Sequence, residues 1–397
     1  MKMELPTPVL HSLFALNAAG YESYVVGGCV RDALMGKEPF DWDITTSALP
    51  EQTMEVFQDC RTIETGIQHG TVTVIIDEMP LEITTYRVDG DYSDGRHPDR
   101  VSFTRSLTED LKRRDFTVNA IAYHPNVGLV DPFDGQKDLQ NSIIRCVGDP
   151  STRFSEDALR LLRGMRFAAT LDFCIEETTA TAIHQLAPTL SGISAERIAI
   201  ELEKLLCGNN APRILTEYTD VLEEILPCRL DSPNLAKRMA LVKATPLSRY
   251  AALLFDTSEE TVTAMANRLK FSRHFTEDLS ALIRHKAIPI SNERAALLRL
   301  LHHLGPVLSK TLLEIRAVYD AKDYTSLQKQ LDDLVQRDAC YRLSRLAISG
   351  NDLLDAGFSP GPAIGTTLQR LLEAVMDGDC ANTKTDLLEY AKQKSLC

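Results

Sequence analysis

The sequence predicts an α/β domain over residues 1–149, built on a mixed sheet with helices, followed by an all-α remainder. Three observations support this fold class. A short apolar strand at 24–26 runs through a Gly-Gly turn into a helix, and segments at 71–76 and 81–86 alternate apolar and polar residues like the strands of a hairpin. From residue 150 onward, by contrast, apolar residues recur at helical spacing almost to the end of the chain.

Composition limits the classes of function. A net charge of −13 argues against a protein that coats nucleic acid indiscriminately, although it leaves room for a local basic groove. The nine cysteines contain no Cys-x-x-Cys pair, so neither a zinc site nor a disulfide framework is indicated, and a reducing cytoplasm fits best. The N-terminus has no signal-peptide pattern and no apolar run approaches a membrane span, so we expect no membrane partner.

The other elements of the α/β domain follow from local patterns. The sequence predicts helices at 8–19 and 51–60, a second strand around residue 43, and a hairpin turn at 77–80. Residues 89–111 are polar and contain glycine, which predicts a long mobile loop. Loops of this length inside compact domains are usually functional or disordered.

The Gly-Gly turn and an aspartate pair form the first candidate site. Gly27 and Gly28 allow the backbone to approach a ligand, and the helix that follows, which carries Arg31, presents free N–H groups to an anion. Asp41 and Asp43 are two apart on the predicted strand, so both carboxylates leave the same face. Hard oxygen ligands beside a phosphate-binding turn suit Mg²⁺ and a triphosphate. The alternative is an ordinary turn and a solvated aspartate pair.

Strand alternation adds a third carboxylate to this candidate site. Leu81 and Ile83 face one way and Glu82 the other, so we expect Glu82 beside the aspartate pair, the alternative being a solvent-exposed strand residue. The glycine turn is not a Walker loop, because no Lys-Ser or Lys-Thr follows it, and it lacks the three-glycine dinucleotide pattern.

A second cluster of charged residues opens the helical part. Glu156, Asp157, Arg160 and Arg163 are spaced three or four apart, which predicts one stripe on a helix that has Ser155 as its N-cap. Two other interpretations stay open. The acids favour the helix dipole, or the four residues form an exposed ladder of ion pairs.

Next to a nucleotide site, this second cluster suits base recognition. Cytosine and adenine each present an amine donor beside a ring-nitrogen acceptor, whereas uracil and guanine present the reverse order. A carboxylate accepts from the amine and a guanidinium donates to the ring nitrogen, so an Asp157–Arg160 pair would accept C and A and reject U and G. The wrong base would leave polar groups of the site unpaired.

Taken together, these motifs resemble those of the class II tRNA nucleotidyltransferases, the CCA-adding enzymes, which share a superfamily with bacterial poly(A) polymerases. The resemblance is to the bacterial type without a phosphohydrolase domain. The matching motifs cover about the first 210 residues: Gly-Gly-x-Val-Arg-Asp at 27–32, Asp-x-Asp at 41–43, Arg-Arg-Asp-Phe-Thr-x-Asn-Ala at 113–120, Asp-Pro-Phe-Asp-Gly at 131–135, Glu-Asp-x-x-Arg-x-x-Arg at 156–163, and Ser-Ala-Glu-Arg-Ile at 194–198 with Glu201 and Leu202.

The resemblance implies an elongated, seahorse-like chain of four parts. These are a nucleotidyltransferase catalytic head at 1–149, a helical neck for base recognition at 150–210, a helical body at 211–290 and a helical, tRNA-binding tail at 291–397. A glycine-rich patch at 350–365 in the tail is either loop punctuation or a helix-turn-helix unit that holds an RNA phosphate. No stable protein partner is predicted.

The resemblance also implies roles in catalysis and nucleotide binding. Asp41 and Asp43 would bind two Mg²⁺ ions, with Glu82 as the third carboxylate of the catalytic centre. Asp115 would contact the ribose 2′-hydroxyl and favour NTP over dNTP. The residues that would hold the triphosphate are Gly27, Gly28, Arg31, Arg114 and Arg163.

For base recognition, the resemblance implies that Glu156 braces Arg160 while Asp157 and Arg160 read the base, so that protein replaces a nucleic-acid template. The implied activity is addition of C, C and A to the 3′ end of tRNA, with the tRNA acceptor end, CTP and ATP as partners. The loop at 89–111 looks complete, which favours a complete CCA adder over relatives that add only CC. An enzyme that adds only the terminal A, a poly(A) polymerase and a non-enzymatic RNA-binding relative are the alternatives.

Overall fold

The structure is a computed structural model that describes residues 3–64, 66–90, 101–230 and 234–394. Its contacts cluster into two compact units, Met1–Leu230 and Asp231–Cys397. The first unit contains the mixed sheet with its helices, and the part of the second that is described is helical. The predicted fold class is therefore confirmed. The finer division of the chain at 149, 210 and 290 stays a prediction.

A seven-stranded mixed sheet organises the first unit. Among the described residues the strands are β1 (Ser23–Val26), β2 (Asp43–Thr46), β3 (Arg61–Ile63), β4 (Thr71–Ile76), β5 (Met79–Thr85), β6 (Arg87–Asp89), β7 (Val101–Phe103), β8 (Ala122–His124), β9 (Gly128–Val130), β10 (Ile143–Ile144) and β11 (Cys174–Ile175). The sheet has the order β3-β4-β5-β2-β1-β8-β9, in which β2 and β5 are parallel and the other neighbours antiparallel. This order places β1 and β2 side by side in the middle of the sheet.

The sheet is packed on both faces. Successive side chains of a strand point to opposite faces, and Val25 and Val26 of β1 accordingly belong to different apolar clusters. Val25 packs in a cluster with Leu13 of the first helix, and Val26 packs in a cluster with Leu111. Both faces are therefore buried around β1, which holds the turn that follows it firmly in place.

Eleven α-helices lie in the described part of the first unit. They are α1 (Thr7–Ala18), α2 (Gly28–Leu34), α3 (Pro50–Val56), α4 (Leu107–Lys112), α5 (Gly135–Gln140), α6 (Pro150–Glu156), α7 (Leu159–Leu171), α8 (Glu177–Leu186), α9 (Ala195–Leu206), α10 (Ala211–Glu217) and α11 (Thr219–Glu223). Helix α7 packs along α9, and the apolar face of α9 is buried through Ile198, Leu202 and Leu205.

The second unit is a set of helices, with the following bounds over residues 234–394: α12 (Leu235–Leu241), α13 (Pro246–Leu254), α14 (Glu259–Leu269), α15 (Arg273–Arg284), α16 (Arg294–Asp320), α17 (Thr325–Gln336), α18 (Gly350–Asp355), α19 (Pro362–Asp377) and α20 (Lys384–Gln393). Helix α16 is kinked at Gly305, which has a φ of 69° and precedes Pro306. None of the helices in the described ranges combines the length and the apolar character needed to cross a bilayer.

Two local predictions need correction. The turn at 77–80 is shorter than predicted, because Asp77 and Glu78 both adopt positive φ and pair Ile76 directly with Met79 in a two-residue hairpin. The end of the predicted loop is ordered, because β7 pairs with β6 and helix α4 follows Ser106, whose hydroxyl caps it. Residues 91–100 of that loop lie outside the described residues.

The glycine-rich patch at 350–365 also differs from plain loop punctuation. Residues 350–355 and 362–365 of the patch belong to helices α18 and α19, which contact each other, and six residues connect the two helices. That the patch is a helix-turn-helix unit that holds an RNA phosphate stays a prediction.

Candidate active site

Ten of the twelve residues that the sequence predicts for the site line one cavity of about 560 Å³ in the first unit. The ten are Gly27, Gly28, Arg31, Asp41, Asp43, Arg114, Asp115, Asp157, Arg160 and Arg163. Each of the other two neighbours a residue that lines it. Glu82 pairs in register with Asp43 across β5 and β2, and Glu156 forms an ion pair with Arg160.

The turn after β1 favours glycine at position 27 for two reasons. The φ of Gly27 is +84°, a backbone conformation that L side chains rarely adopt. A Cβ at this position would also lie 3.1 Å from Arg114 Nη1 and 3.9 Å from Asp43 Oδ2. The turn thus brings the backbone against a cationic and an anionic side chain of the cavity.

Strand β2 begins at Asp43, so the prediction that Asp41 also lies on this strand is wrong. β1 pairs with β2 only as far as Val25 opposite Ile44 and then turns into α2, which leaves the residues before Asp43 without a partner in β1. Trp42 is buried between the two aspartates, and both aspartates line the cavity. The predicted juxtaposition therefore survives without the predicted strand.

The surroundings of Asp43 are acidic. The pKa of its carboxyl is raised to about 6, chiefly because burial disfavours the charged form. The Arg114 guanidinium lowers the pKa of Asp43, whereas Asp41 and Glu82 raise it. A cation that binds here would offset both the burial and the repulsion between carboxylates.

Asp41 and Asp43 have the donor chemistry of a Mg²⁺ site, because carboxylate oxygens are the hard ligands that this ion prefers. Over residues 3–64, 66–90, 101–230 and 234–394, no three His, Cys, Asp or Glu side chains form a ready-made metal site. Proteins commonly bind Mg²⁺ through one or two carboxylates plus substrate phosphates. The residues present fit that arrangement, in which the substrate completes the coordination.

Arg114 is anchored by one carboxylate and retains an unused donor. Asp110 of α4 is fully buried, and it accepts from Arg113 Nε at 2.9 Å and from Arg114 Nη2 at 3.5 Å. Among the described side chains, Arg114 Nε is buried without a hydrogen-bond partner. Such a buried donor is costly unless a ligand satisfies it, so Arg114 is suited to an anion.

Asp115 is the opposite case to Asp43. Its Oδ2 accepts from Arg163 Nη2 at 2.6 Å and from Arg163 Nε at 2.8 Å, and its Oδ1 accepts from Asn119 Nδ2 at 3.1 Å. Burial alone would raise the pKa of Asp115, but Arg163, with help from Asn119, lowers it to about 2. Asp115 therefore stays ionised and fixed at any physiological pH.

The second charged cluster does not lie on one helix, and this prediction is wrong. Asp149 caps α6 by accepting from the Thr152 N–H, so the helix begins at Pro150 and ends at Glu156, with Ser155 inside its last turn. Asp157 has extended backbone angles and lies in the break before α7. The early cap and proline fix the start of the helix upstream of the predicted position.

Despite the break, the side chains converge. Glu156 Oε2 accepts from Arg160 Nη1 at 2.6 Å, a contact that the predicted bracing of Arg160 by Glu156 requires. Arg160 Nη2 also donates to the Arg113 carbonyl at 3.3 Å. Asp157 Oδ2 accepts from Arg197 Nη2 at 2.7 Å, a contact that the sequence did not predict.

Six further residues line the cavity: Arg113, Asn119, Leu159, Arg166, Phe167 and Arg197. Arg113, Asn119 and Arg197 belong to motifs visible in the sequence, so a signal for them existed. Arg166 continues the three-residue spacing of the arginines, and its guanidinium lies 3.6 Å from the ring centroid of Phe167. Phe167 carried no sequence signal, because an apolar helical residue ordinarily belongs to the core.

Comparison with protein families covers most of the chain. The family model described as the Poly A polymerase head domain matches residues 23–145. The model described as the probable RNA and SrmB-binding site of polymerase A matches residues 172–228, and that of tRNA nucleotidyltransferase domain 2 matches residues 247–391.

Individual relatives match over nearly the full length. The CCA-adding enzyme of Enterococcus faecalis is 38% identical over 388 residues, which are 96% of this chain and 94% of that relative. The CCA-adding enzyme of Limosilactobacillus reuteri is 36% identical over 97% of this chain and 95% of the relative. The crystal structure of the Bacillus stearothermophilus CCA-adding enzyme in complex with CTP has a TM-score of 0.84 and 31% identity, with 98% of each chain covered. The chain belongs to the family of the CCA-adding enzymes, which are tRNA nucleotidyltransferases.

Proposed function

We propose that this chain adds C, C and A to the 3′ end of tRNA from CTP and ATP and releases pyrophosphate at each addition. The observation that carries the proposal is the single cavity that combines Asp41 and Asp43 with buried arginines and with the Asp157–Arg160 pair. The similarity of the chain to relatives named as CCA-adding enzymes, one of them solved with CTP, supports the same reaction.

The catalytic centre lies at the aspartate pair in this proposal. Asp41 and Asp43 would hold two Mg²⁺ ions, with Glu82 beside Asp43, and bound Mg²⁺ would lower the pKa of the attacking hydroxyl and neutralise developing charge on the phosphates. The 3′-oxygen of the RNA forms a bond to the α-phosphorus while the bond to pyrophosphate breaks. The protein's own part is to hold the two reactants in line.

The triphosphate would lie along the glycine turn and the arginines. Gly27 keeps the backbone free of a side chain that would contact Arg114, whose buried Nε lacks a partner among the described groups. Gly28, Arg31 and Arg163 line the same cavity and would complete the phosphate contacts. Charge-assisted hydrogen bonds from guanidinium to phosphate are about twice as strong as neutral ones.

Sugar and base recognition would use the remaining groups. Asp115, fixed and ionised, would accept from the ribose 2′-hydroxyl and favour NTP over dNTP. Asp157 would accept from the exocyclic amine of C or A, and Arg160, braced by Glu156, would donate to the ring nitrogen. The residues at 291–397 would bind tRNA, and we expect the protein to act in the cytoplasm, where its substrates are.

The test is product length on a gel. Transcripts of one tRNA that end before CCA, after C, or after CC are each incubated with CTP, with ATP, with both, and separately with UTP or GTP. We expect the first transcript to gain three nucleotides with CTP and ATP together and then stop. Extension of the CC-ended transcript alone, by one A, would identify an A-adding enzyme, and a long ladder with ATP alone would identify a poly(A) polymerase. Either result would overturn the proposal.

A further inference from the structure

The two base-recognition residues each have a separate partner of opposite charge. Arg160 is held by Glu156, its neighbour on the preceding helix, through the 2.6 Å hydrogen bond. Asp157 is held by Arg197 through a 2.7 Å hydrogen bond, although the two residues are 40 positions apart in the chain. Both the donor and the acceptor of the pair are thus anchored independently.

We infer that Arg197 is a positioning residue that fixes Asp157 as the hydrogen-bond acceptor of the pair, and that it thereby determines the selection of C and A over U and G. The inference rests on the proposed function, because it concerns the selectivity of that same site.

The backbone at Asp157 explains why the side chain needs an external anchor. Asp157 lies in the break between α6 and α7, where its φ of −146° and ψ of 102° place it outside either helix. Its Oδ1 accepts from the Leu159 N–H at 3.0 Å, and its Oδ2 accepts from Arg197. With one partner on each oxygen the carboxylate plane is fixed, and each oxygen keeps a lone pair for a ligand.

Helix α9 is a firm base for this anchor. Ile198 and Leu202 bury its apolar face, and α9 packs along α7. One turn beyond Arg197, the buried Glu201 accepts from Arg166 Nε at 2.8 Å and lies 3.5 Å from Arg163 Nη1. Through two residues spaced by four, α9 therefore holds both the acceptor of the base-recognition pair and two arginines of the cavity.

Loss of Arg197 would leave the Asp157 carboxylate with the Leu159 N–H as its remaining anchor among the contacts above. The carboxylate then can turn about its side-chain bonds toward the other guanidiniums of the cavity. A rotated carboxylate no longer meets the amine of C or A in line. Discrimination that depends on leaving the wrong base unpaired weakens with it.

The experiment measures kcat/KM for CTP and for UTP in the first addition to a tRNA that ends before CCA. Arg197→Gln is compared with Lys204→Gln, which removes the same charge from an exposed position on the same helix. We expect the CTP-to-UTP ratio to fall roughly tenfold or more in Arg197→Gln, to recover in part in Arg197→Lys, and to stay unchanged in Lys204→Gln.

A double-mutant cycle separates positioning from a structural ion pair. If Arg197 acts through Asp157, Arg197→Gln in an Asp157→Ala background causes no further change in the CTP-to-UTP ratio. Equal loss of activity with CTP and UTP in Arg197→Gln, or an undiminished effect of that substitution in the Asp157→Ala background, would overturn the inference. The proposed function would fail separately, if the unaltered protein added no C to this tRNA.

Discussion

Asp43 and Asp115 line the same cavity, but their surroundings act on their charge in opposite directions. Burial, together with Asp41 and Glu82, raises the pKa of Asp43 to about 6. Arg163 lowers the pKa of Asp115 to about 2, against the effect of burial. In the acidic cluster (Asp41, Asp43 and Glu82), Arg114 does not offset the effects of burial and of the other carboxylates on Asp43, whereas the negative charge of Asp115 is balanced by Arg163.

The difference separates two tasks of one site. A carboxylate that is paired inside the protein keeps a fixed position and charge, which suits the recognition of a sugar or base. A carboxylate whose charged form is disfavoured gains most from a bound cation. Strongly shifted pKa values of this kind are typical of functional sites.

The largest expected effect comes from removing one carboxylate of the acidic cluster. Asp41→Asn keeps the shape of the side chain but weakens the metal site, so we expect turnover to fall by ~10³-fold or more while tRNA affinity stays unchanged. Single-turnover C addition and filter binding of tRNA measure the two. Asp59→Asn, at an exposed position, is the matched control. A parallel loss of tRNA affinity would contradict the role of Asp41.

The second prediction removes the charge of Asp115, the carboxylate that is paired with Arg163. In Asp115→Asn the Arg163 guanidinium loses its main buried partner. We therefore expect the free energy of unfolding of the first unit to fall by about 2–4 kcal/mol at neutral pH. The native carboxylate stabilises the fold above the ordinary aspartate pKa, and this contribution is lost as pH falls through about 2. Trp42, the single tryptophan, is buried in the first unit, so its fluorescence in urea follows this unfolding. An unchanged urea midpoint in Asp115→Asn would show that the pair of Asp115 and Arg163 does not stabilise the fold.

We expect Asp43→Asn to change the stability of the protein in the opposite direction. The raised pKa of Asp43 means that its ionised form destabilises the native state at pH 8, by about 1–3 kcal/mol. Asp43→Asn should therefore stabilise the cation-free protein at pH 8. The gain should shrink as pH falls through about 6, because Asp43 itself becomes neutral, and vanish below the ordinary aspartate pKa. Trp42 fluorescence in urea with EDTA is again the measurement, and a destabilised variant at pH 8 would contradict the comparison.

The smallest expected effect comes from the glycine turn, whose backbone lies close to Arg114. Gly27→Ala places a Cβ 3.1 Å from Arg114 Nη1, so we expect KM for CTP to rise several-fold. Gly20→Ala is a matched control, because Gly20 has a similar φ of +89° but a Cβ there would have no atom within 4 Å. Equal KM changes in both variants would show that backbone strain alone is responsible.

Local patterns predicted the parts of the fold that depend on neighbours in sequence. The strand–glycine–helix unit, the hairpin and the helical second half follow from spacing that a single segment reveals. The start of β2 at Asp43 does not, because it depends on pairing with β5, in which Asp43 lies opposite Glu82. The break at Asp157 was missed because a cap seven residues upstream of Glu156 fixes the helix register.

Contacts between residues far apart in the chain could not be predicted from the sequence. Motif spacing pointed to ten residues that do line one cavity, although their individual roles stay proposals. It did not reveal that Asp157 is held by Arg197, because this pair exists only through the packing of α9 on α7. Nor did it distinguish the opposite pKa shifts of Asp43 and Asp115, which arise from burial and from partners brought together by the fold.

The most direct test of the comparison is the binding of Mn²⁺, as a paramagnetic probe for Mg²⁺, to the protein without nucleotide. Electron paramagnetic resonance measures free Mn²⁺ for the unaltered protein, Asp43→Asn and Asp115→Asn at a temperature where all three are folded. We expect Asp43→Asn to weaken Mn²⁺ binding by at least ~10-fold and Asp115→Asn to leave it within ~2-fold. Equal weakening in the two variants, or unchanged binding in Asp43→Asn, would contradict the account.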